Sequence, residues 1–235
     1  EKPDIVIDLG DRLSCHSPKR DRRNLKKISE HFNEMAAPRV HILGNHDIRF
    51  LTPSENSDAL GVNTNSHSFD LGGFHIIAWN PGLRYIHQRE VKLDMGDLEW
   101  LKDTLSKTDK PVIILSHVPL DHTGHPEQDK KNGNGTWKYK RYTDNRAIRD
   151  ILEASGKNFL NLAGDHHRNY MSEINDAYYI TMHSLTQKQV GGTKPCGAFA
   201  LLEINGDEIK MDVFGREPQI YRLQSKVLKN LSPKP

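Results

Sequence analysis

The chain has 235 residues, which is enough for one domain with a substantial core and too few to require two. Hydrophobic residues make up 35% and charged residues 27%, a composition typical of a rather polar globular protein. The formal net charge of +2 gives no reason to expect bulk attraction to nucleic acid or to a membrane. Two cysteines cannot build a disulfide framework, and no apolar run approaches the roughly 20 residues of a membrane span.

The chain opens on Glu1 and enters an apolar stretch within a few residues. This opening lacks the pattern of a signal peptide, so we expect a cytoplasmic protein. Because a core strand follows without a preceding cap or turn, we also expect that further sequence precedes Glu1. We expect a single domain over residues 1–222 and a basic tail over residues 223–235.

The first part of the chain alternates apolar runs with helical periodicity. Residues 5–9 and 40–43 are predicted strands, and the apolar side chains of residues 24–35 recur at helical spacing between them. Each of the two strands is followed by glycine, which is typical of a sharp turn at a strand end. Residues 51–68 are rich in Ser, Asn and Asp, and this composition predicts an extended loop.

The next part repeats this order. Residues 74–79 and 112–115 are predicted strands, and Leu98 and Leu105 mark a helix between them with Asp97 as its cap. Strands that alternate with helices in this way are typical of a parallel layer covered by helices.

The last third changes character. A helix over residues 147–154 and a strand over residues 159–163 are followed by predicted strands at residues 178–182, 198–204 and 209–214, with no helix between them.

Residues 121–146 form the least regular stretch, and a run of this length is usually a functional loop or a disordered one. Its aromatic residues Trp137, Tyr139 and Tyr142 either stack on a nucleobase or pin the loop to the body, and we favour the second interpretation. His122 and His125 either line a pocket mouth or belong to a mobile polar loop.

Polar residues follow four of the predicted strands at the point where each strand ends. The segments are Gly10-Asp11, Gly44-Asn45-His46-Asp47, Ser116-His117 and Gly164-Asp165-His166-His167. The carboxyl ends of parallel strands gather at one edge of a sheet, where ligands bind. Carboxylate and amide oxygens together with imidazole nitrogens suit Mn, Fe or Zn, and two such ions can orient and activate a phosphate ester. The sequence therefore predicts a dinuclear metal site at this edge.

These segments resemble the motifs of the calcineurin-like metallophosphoesterase superfamily over residues 3–204, and the short loops resemble its small bacterial phosphodiesterase branch. That family carries Asp-x-His, Gly-Asp-x-x-Asp/Asn, Gly-Asn-His-Asp/Glu, a lone His and Gly-His-x-His. The resemblance implies an α/β fold, a four-layer sandwich of two facing mixed β-sheets flanked by helices. It implies metal ligands at Asp11, Asn45, His117, Asp165 and His167, with Asp11 bridging both ions, and catalytic roles for His46 over the phosphate and for Asp47 behind it.

Three departures from the family pattern stand out. No Asp-x-His precedes Asp11, so the first metal keeps only Asp11 and His167 from this set unless the missing motif lies upstream. Asp165 stands where the family has histidine. An aspartate favours harder Mn or Mg over Zn, and we prefer Asp165 to His166 as ligand because adjacent side chains point apart. Ser14 closes the second motif in place of Asp or Asn.

The resemblance implies hydrolysis of a small phosphodiester or phosphomonoester, including nucleotides, with two divalent ions as cofactors. Manganese is the expected metal, and Fe, Zn and Mg are the alternatives. A metal-activated hydroxide would attack phosphorus in line while His46 assists the leaving oxygen. The alternative is a non-catalytic relative that keeps the fold for binding or assembly. His16 and Arg49 either touch the substrate phosphate or are solvated loop residues, and the second interpretation is favoured.

Overall fold

The computed structural model describes residues 2–87, 90–121, 140–188, 193–205 and 208–224. The helices are α1 (Pro18–Asn33), α2 (Pro53–Leu60), α3 (Met95–Ser106) and α4 (Asn145–Ser155). The first seven strands are β1 (Val6–Asp8), β2 (Arg39–His41), β3 (His67–Leu71), β4 (Phe74–Ala78), β5 (Arg84–His87), β6 (Glu90–Lys92) and β7 (Val112–Ser116). The others are β8 (Arg141–Tyr142), β9 (Asn158–Ala163), β10 (Tyr170–Ile174), β11 (Ala177–Thr181), β12 (Phe199–Asn205), β13 (Glu208–Phe214) and β14 (Gln219–Gln224). None of the helices in these ranges is long and apolar enough to cross a membrane.

A six-stranded sheet forms the centre of the molecule, in the order β10-β11-β9-β7-β4-β3. Its four inner strands run parallel, and the edge strands β10 and β3 run antiparallel to their neighbours. One face of this sheet packs against α3 and α4, where Leu101 and Ile148 join Ile77 and Ile114 in a buried cluster. The small sheet β5-β6-β8 contributes Val91 and other residues to the same cluster.

The opposite face of the central sheet packs against a second strand layer. This layer consists of the parallel pair β1-β2 and the antiparallel sheet β12-β13-β14. Val40 and Met211 of this layer share one core with Ile76 and Ile113 of the central sheet. Helices α1 and α2 pack on each other around Leu25 and Leu60, outside this layer. The arrangement is the predicted four-layer sandwich of two facing strand layers flanked by helices.

Two predictions about local structure were wrong. Within residues 51–68, helix α2 occupies Pro53–Leu60 of the expected loop, because Thr52 and Glu55 form a capping box and Pro53 occupies the first turn. Helix α3 begins earlier than expected: Asp94 is its N-cap, and Asp97 is the third helical residue that completes the capping box. In both segments, polar residues that resemble loop composition are helix-start signals.

Some predictions lie outside the described residues. They concern most of residues 121–146, with His122, His125, Trp137 and Tyr139, and almost all of the basic tail at residues 223–235. Tyr142 is described, and its buried ring packs against Trp79 with the ring centroids 5.7 Å apart.

Candidate metal centre

The candidate site lies where four parallel strands end, β1 and β2 in one layer and β7 and β9 in the other. His117, directly after β7, bridges the layers because its Nδ1 lies 2.8 Å from the Leu9 carbonyl oxygen. A carbonyl only accepts hydrogen bonds, so Nδ1 carries the hydrogen and donates it. This bond leaves Nε2 of His117 as the nitrogen that faces the site.

Three of the predicted ligands form a compact cluster. One ligand atom from each of Asp11, His117 and Asp165 lies within 4.8 Å of the others. His117 Nε2 is 3.4 Å from Asp11 Oδ2 and 3.3 Å from Asp165 Oδ1. Although it is buried, it makes no hydrogen bond of acceptable geometry with any described group. The imidazole nitrogen and the two carboxylate oxygens together form a ligand set that suits a divalent cation.

The electrostatics of the cluster favour positive charge at this position. Burial lowers the pKa of His117, but the two neighbouring carboxylates outweigh burial and raise it to about 10. Burial raises the pKa of Asp165, but His117 and Lys140 lower it by a larger amount. The pKa therefore lies well below its usual range. Asp11 shows the same balance, with its pKa lowered mainly by His117. The carboxylates stay ionised, and they stabilise either a protonated ring or a metal ion.

The backbone around Asp11 is held in place by the loop that follows β2. Asp11 has a left-handed backbone, with φ of 62°, and its N–H donates to Asp47 Oδ2 at 2.8 Å. Asp47 also accepts from the N–H groups of Leu13 at 3.3 Å and Gly44 at 2.9 Å. In return, the His46 N–H donates to Asp11 Oδ1 at 2.9 Å. The loops after β1 and β2 therefore form one hydrogen-bonded unit that aims the Asp11 carboxylate at His117.

A close approach between these loops requires glycine at position 44. A Cβ on Gly44 would lie 2.1 Å from Asp11 Oδ1 and 2.5 Å from Asp11 N. Both distances are far shorter than a van der Waals contact, so any side chain here would displace the Asp11 carboxylate.

A buried arginine beneath the site was not predicted from the sequence. Arg12 donates to the Asp8 carboxylate and, at 2.9 Å, to the Ile42 carbonyl oxygen. Its Nη2 lies 3.2 Å from Asp47 Oδ2, and Asp8 also contacts His41 Nδ1 at 2.9 Å. A charged residue at the end of an apolar run, as Asp8 is, was the available signal for a buried ion pair.

The two carboxylates that share Arg12 respond differently. Burial raises the pKa of Asp8, but Arg12 and His41 outweigh it and hold the pKa well below its usual value. For Asp47, burial dominates and raises the pKa despite Arg12. The guanidinium therefore lowers the pKa of both carboxylates, and at Asp8 it acts together with His41.

His46 lies on the solvent side of the cluster. Its side chain is 42% exposed, and its Nε2 is 4.0 Å from Asp11 Oδ2. Its Nδ1 has no hydrogen-bond partner among the described residues. The described contacts of Asp47 go to backbone N–H groups and Arg12 rather than to the ring of His46. His46 is thus placed to meet a bound molecule, and Asp47 is placed to hold the two loops.

Lys140, which directly precedes β8, also reaches the site. It was not predicted from the sequence. Its ammonium donates to Asn45 Oδ1 at 2.7 Å and to the Asp165 carboxylate. Asn45 is therefore connected to the three-residue cluster through Lys140.

Asp165 and His166 point in different directions. Asp165 faces His117, whereas His166 Nε2 donates to the Lys140 carbonyl oxygen at 3.0 Å. The hydroxyl of Tyr170 lies 3.3 Å from His166 Nδ1 and donates to it in this tautomer. Burial lowers the pKa of His166 to about 4, so its ring is neutral near pH 7. In this arrangement His166 positions the Lys140 backbone.

His167 lies outside the three-residue cluster. It has a left-handed backbone with φ of 50°, and its N–H donates to the Gly164 carbonyl oxygen at 3.3 Å. Burial lowers its pKa, opposed by the charges of Asp165 and Asp11. His16 and Arg49 are both exposed.

The comparisons with known proteins agree with this fold. The family model for calcineurin-like phosphoesterases matches residues 1–168. The search of curated proteins found no match. A dimetal phosphatase from Danio rerio has a similar structure, with a TM-score of 0.72 and 15% identity over 95% of this chain and 84% of that chain. GAP50 of Plasmodium, described as the anchor in the inner membrane complex, has a TM-score of 0.50 and 13% identity over 98% and 94% of the two chains. At these identities the structural likenesses show the fold alone.

Proposed function

This chain belongs to the calcineurin-like phosphoesterase family, and from that premise we propose that it hydrolyses small phosphate esters with bound divalent metal ions. The observation that carries the proposal is the convergence of Asp11, His117 and Asp165 from three different strand ends. His117 Nε2 is buried within 3.4 Å of both carboxylates and makes no hydrogen bond of acceptable geometry among the described residues, an arrangement that suits a bound cation.

We assign one metal ion to Asp11, Asn45, His117 and Asp165, and a second to Asp11 and His167 with further ligands. Three oxygen donors and one imidazole suit manganese, which is the metal we propose. When bound, the ions would supply Lewis acidity and positive charge to the phosphate. The chain itself supplies the position of these ligands, because Asp47 and Arg12 hold the loops that carry Asp11 and Asn45.

His46 is the residue we assign to proton transfer. Its exposed ring beside Asp11 can reach the leaving oxygen of an ester that is held over the cluster. Asp47 acts as a positioning residue, since its carboxylate is engaged by backbone N–H groups and Arg12.

The test is hydrolysis of bis-p-nitrophenyl phosphate and of p-nitrophenyl phosphate by the chain, with and without added manganese. Manganese-dependent release of p-nitrophenolate is the expected result, and the ratio of the two rates distinguishes diester from monoester preference. Because no Asp-x-His motif precedes Asp11 in this sequence, the same assay is run on a chain that carries any upstream sequence.

Three variants separate the assigned roles. His46→Asn should lower kcat by about 100-fold or more while its bound manganese is unchanged, because only proton transfer is removed. Asn45→Ala should lose both activity and manganese. His31→Asn, at an exposed position on α1, is the matched control and should behave as wild type. Full activity in His46→Asn would contradict the proton-transfer role. Manganese binding without hydrolysis in the longer chain would favour the non-catalytic alternative.

A further inference from the structure

The position of Lys140 sets it apart from the other lysines that form described ion pairs. Its ammonium contacts Asp165 with the two side chains only 14% and 3% exposed. By contrast, the ion pair of Lys110 with Asp70 is about half exposed, at 46% and 53%. Lys140 is thus a buried cation inside a carboxylate cluster, where an ammonium stays only if it is paired.

Described contacts hold the Lys140 carbonyl group and the backbone that follows it. His166 donates to the Lys140 carbonyl oxygen at 3.0 Å and is itself buried. Two residues along the chain, Tyr142 is fully buried against Trp79, and β8 pairs with β6. The backbone is therefore anchored from the Lys140 carbonyl onward, and the ammonium can change direction by rotation of its four-carbon side chain.

The ammonium and a metal ion need the same oxygens. Lys140 occupies Asn45 Oδ1 and an oxygen of Asp165, and both residues are proposed ligands of one metal ion. Asp165 Oδ1 is also the atom that lies 3.3 Å from His117 Nε2. A divalent cation held by these groups would stand within contact distance of a second positive charge, which is strongly unfavourable at low exposure. The two cations therefore exclude each other from this position.

We propose that Lys140 is an internal competitor of this metal ion: in the metal-free protein its ammonium donates a hydrogen bond to Asn45 and neutralises Asp165, and metal binding displaces it. This inference rests on the proposed metal site. It gives Lys140 a definite effect, because each metal ion that binds must first break the hydrogen bonds that the ammonium makes. Lys140 thereby weakens metal binding at this position and keeps the metal-free cluster electrostatically balanced.

The first test measures manganese binding to chelator-treated protein by titration calorimetry, with metal content checked by mass spectrometry. Lys140→Met removes the charge and keeps the length of the side chain, and its Kd should fall by about tenfold to 100-fold, since charged hydrogen bonds no longer compete. Lys140→Arg retains the charge and should bind no more tightly than wild type. Lys110→Met removes an exposed lysine and should leave the Kd within about twofold of wild type.

The second test follows Lys140 itself in the wild-type chain, so it does not depend on whether a variant folds. Acetylation by an amine-reactive ester, measured on peptides by mass spectrometry, should be slow at Lys140 without manganese and faster with it. Acetylation of Lys110 should not respond to manganese. Equal acetylation of Lys140 in both states would overturn the displacement.

The outcomes separate this inference from the proposed function. If wild type and Lys140→Met bind manganese with the same Kd, the competition is refuted and the metal site stands. If neither protein binds manganese, with or without any upstream sequence, both the competition and the manganese-dependent function are refuted.

Discussion

Replacing Arg12 by methionine should destabilise the protein more than any exposed ion-pair substitution. The guanidinium is 4% exposed and contacts two carboxylates, Asp8 and Asp47, of which Asp47 is fully buried. Methionine fills a similar volume but leaves both carboxylates without their shared cation. Removing one partner from a buried ion pair costs about 3–5 kcal/mol, mainly because the remaining charge stays desolvated.

For a chain of this size, about 3–5 kcal/mol corresponds to a decrease in Tm of roughly 6–20 °C. Thermal unfolding followed by circular dichroism, with urea unfolding as a second measurement, gives the value. Arg22→Met is the matched control, because Arg22 pairs with Glu55 on the exposed surface at 2.7 Å, and it should leave Tm close to wild type.

A double variant tests the cause. Asp8→Asn combined with Arg12→Met removes one of the two carboxylate charges that lose the guanidinium in the single variant, so the double variant should lose less stability than the sum of the single losses. If Arg12→Met lost no more stability than Arg22→Met, the argument that this guanidinium braces the two loops would be refuted.

Two further predictions concern the glycine and the histidine that shape the site. Gly44→Ala should lower manganese affinity at least tenfold in titration calorimetry, because its Cβ would lie 2.1 Å from Asp11 Oδ1. Gly96→Ala on α3, with no atom within 4 Å of the added Cβ, should bind as wild type. Burial lowers the pKa of His166 from 6.5 to about 4. As the pH decreases, His166 is therefore protonated in the unfolded chain before it is protonated in the folded chain. The free energy of unfolding should therefore fall as pH decreases from 6.5 to 4. In His166→Gln, urea unfolding should show a shallower dependence over this interval; an unchanged slope would contradict the assignment.

The strand-end motifs could be predicted because each is contiguous in the sequence. A short apolar run followed by Gly44-Asn45-His46-Asp47 carries its own signal, and the parallel order of the strands brings such segments together. The alternation of strands and helices predicted a parallel layer covered by helices, whereas the four-layer sandwich was implied by the family resemblance.

The supporting residues could not be predicted in this way, because their partners are distant in the chain. Lys140 lies 95 residues from Asn45 and 25 residues from Asp165, within a stretch without periodicity. Arg12 was within a motif, but its role depends on Asp47, which is brought close only by the pairing of β1 with β2. No local pattern encodes either contact.

Six of the described strands, β3, β5, β6, β8, β10 and β14, were missed, and β14 and β10 show two different reasons. In β14 the alternation of buried Tyr221 and Leu223 with exposed neighbours has the period of a half-buried strand, so the signal was present. Strand β10 has a weaker pattern, since Met171 is exposed and only Tyr170 is buried in the strand. Strand β10 is instead defined by its antiparallel pairing with β11, across a turn in which Asn175 and Asp176 both have positive φ.

The carboxylate of Asp47 has a consequence for any attempt to rebuild this centre in another protein. It accepts hydrogen bonds from the N–H groups of two loops that are separated by a helix in the chain. Neither loop therefore keeps its shape by itself. Grafting the Gly44–Asp47 segment onto a foreign parallel sheet would transfer the residues and not their geometry. The smallest portable unit is the β1-β2 pair with both of its loops, Arg12 included, and a design that lengthens one loop must redesign the other.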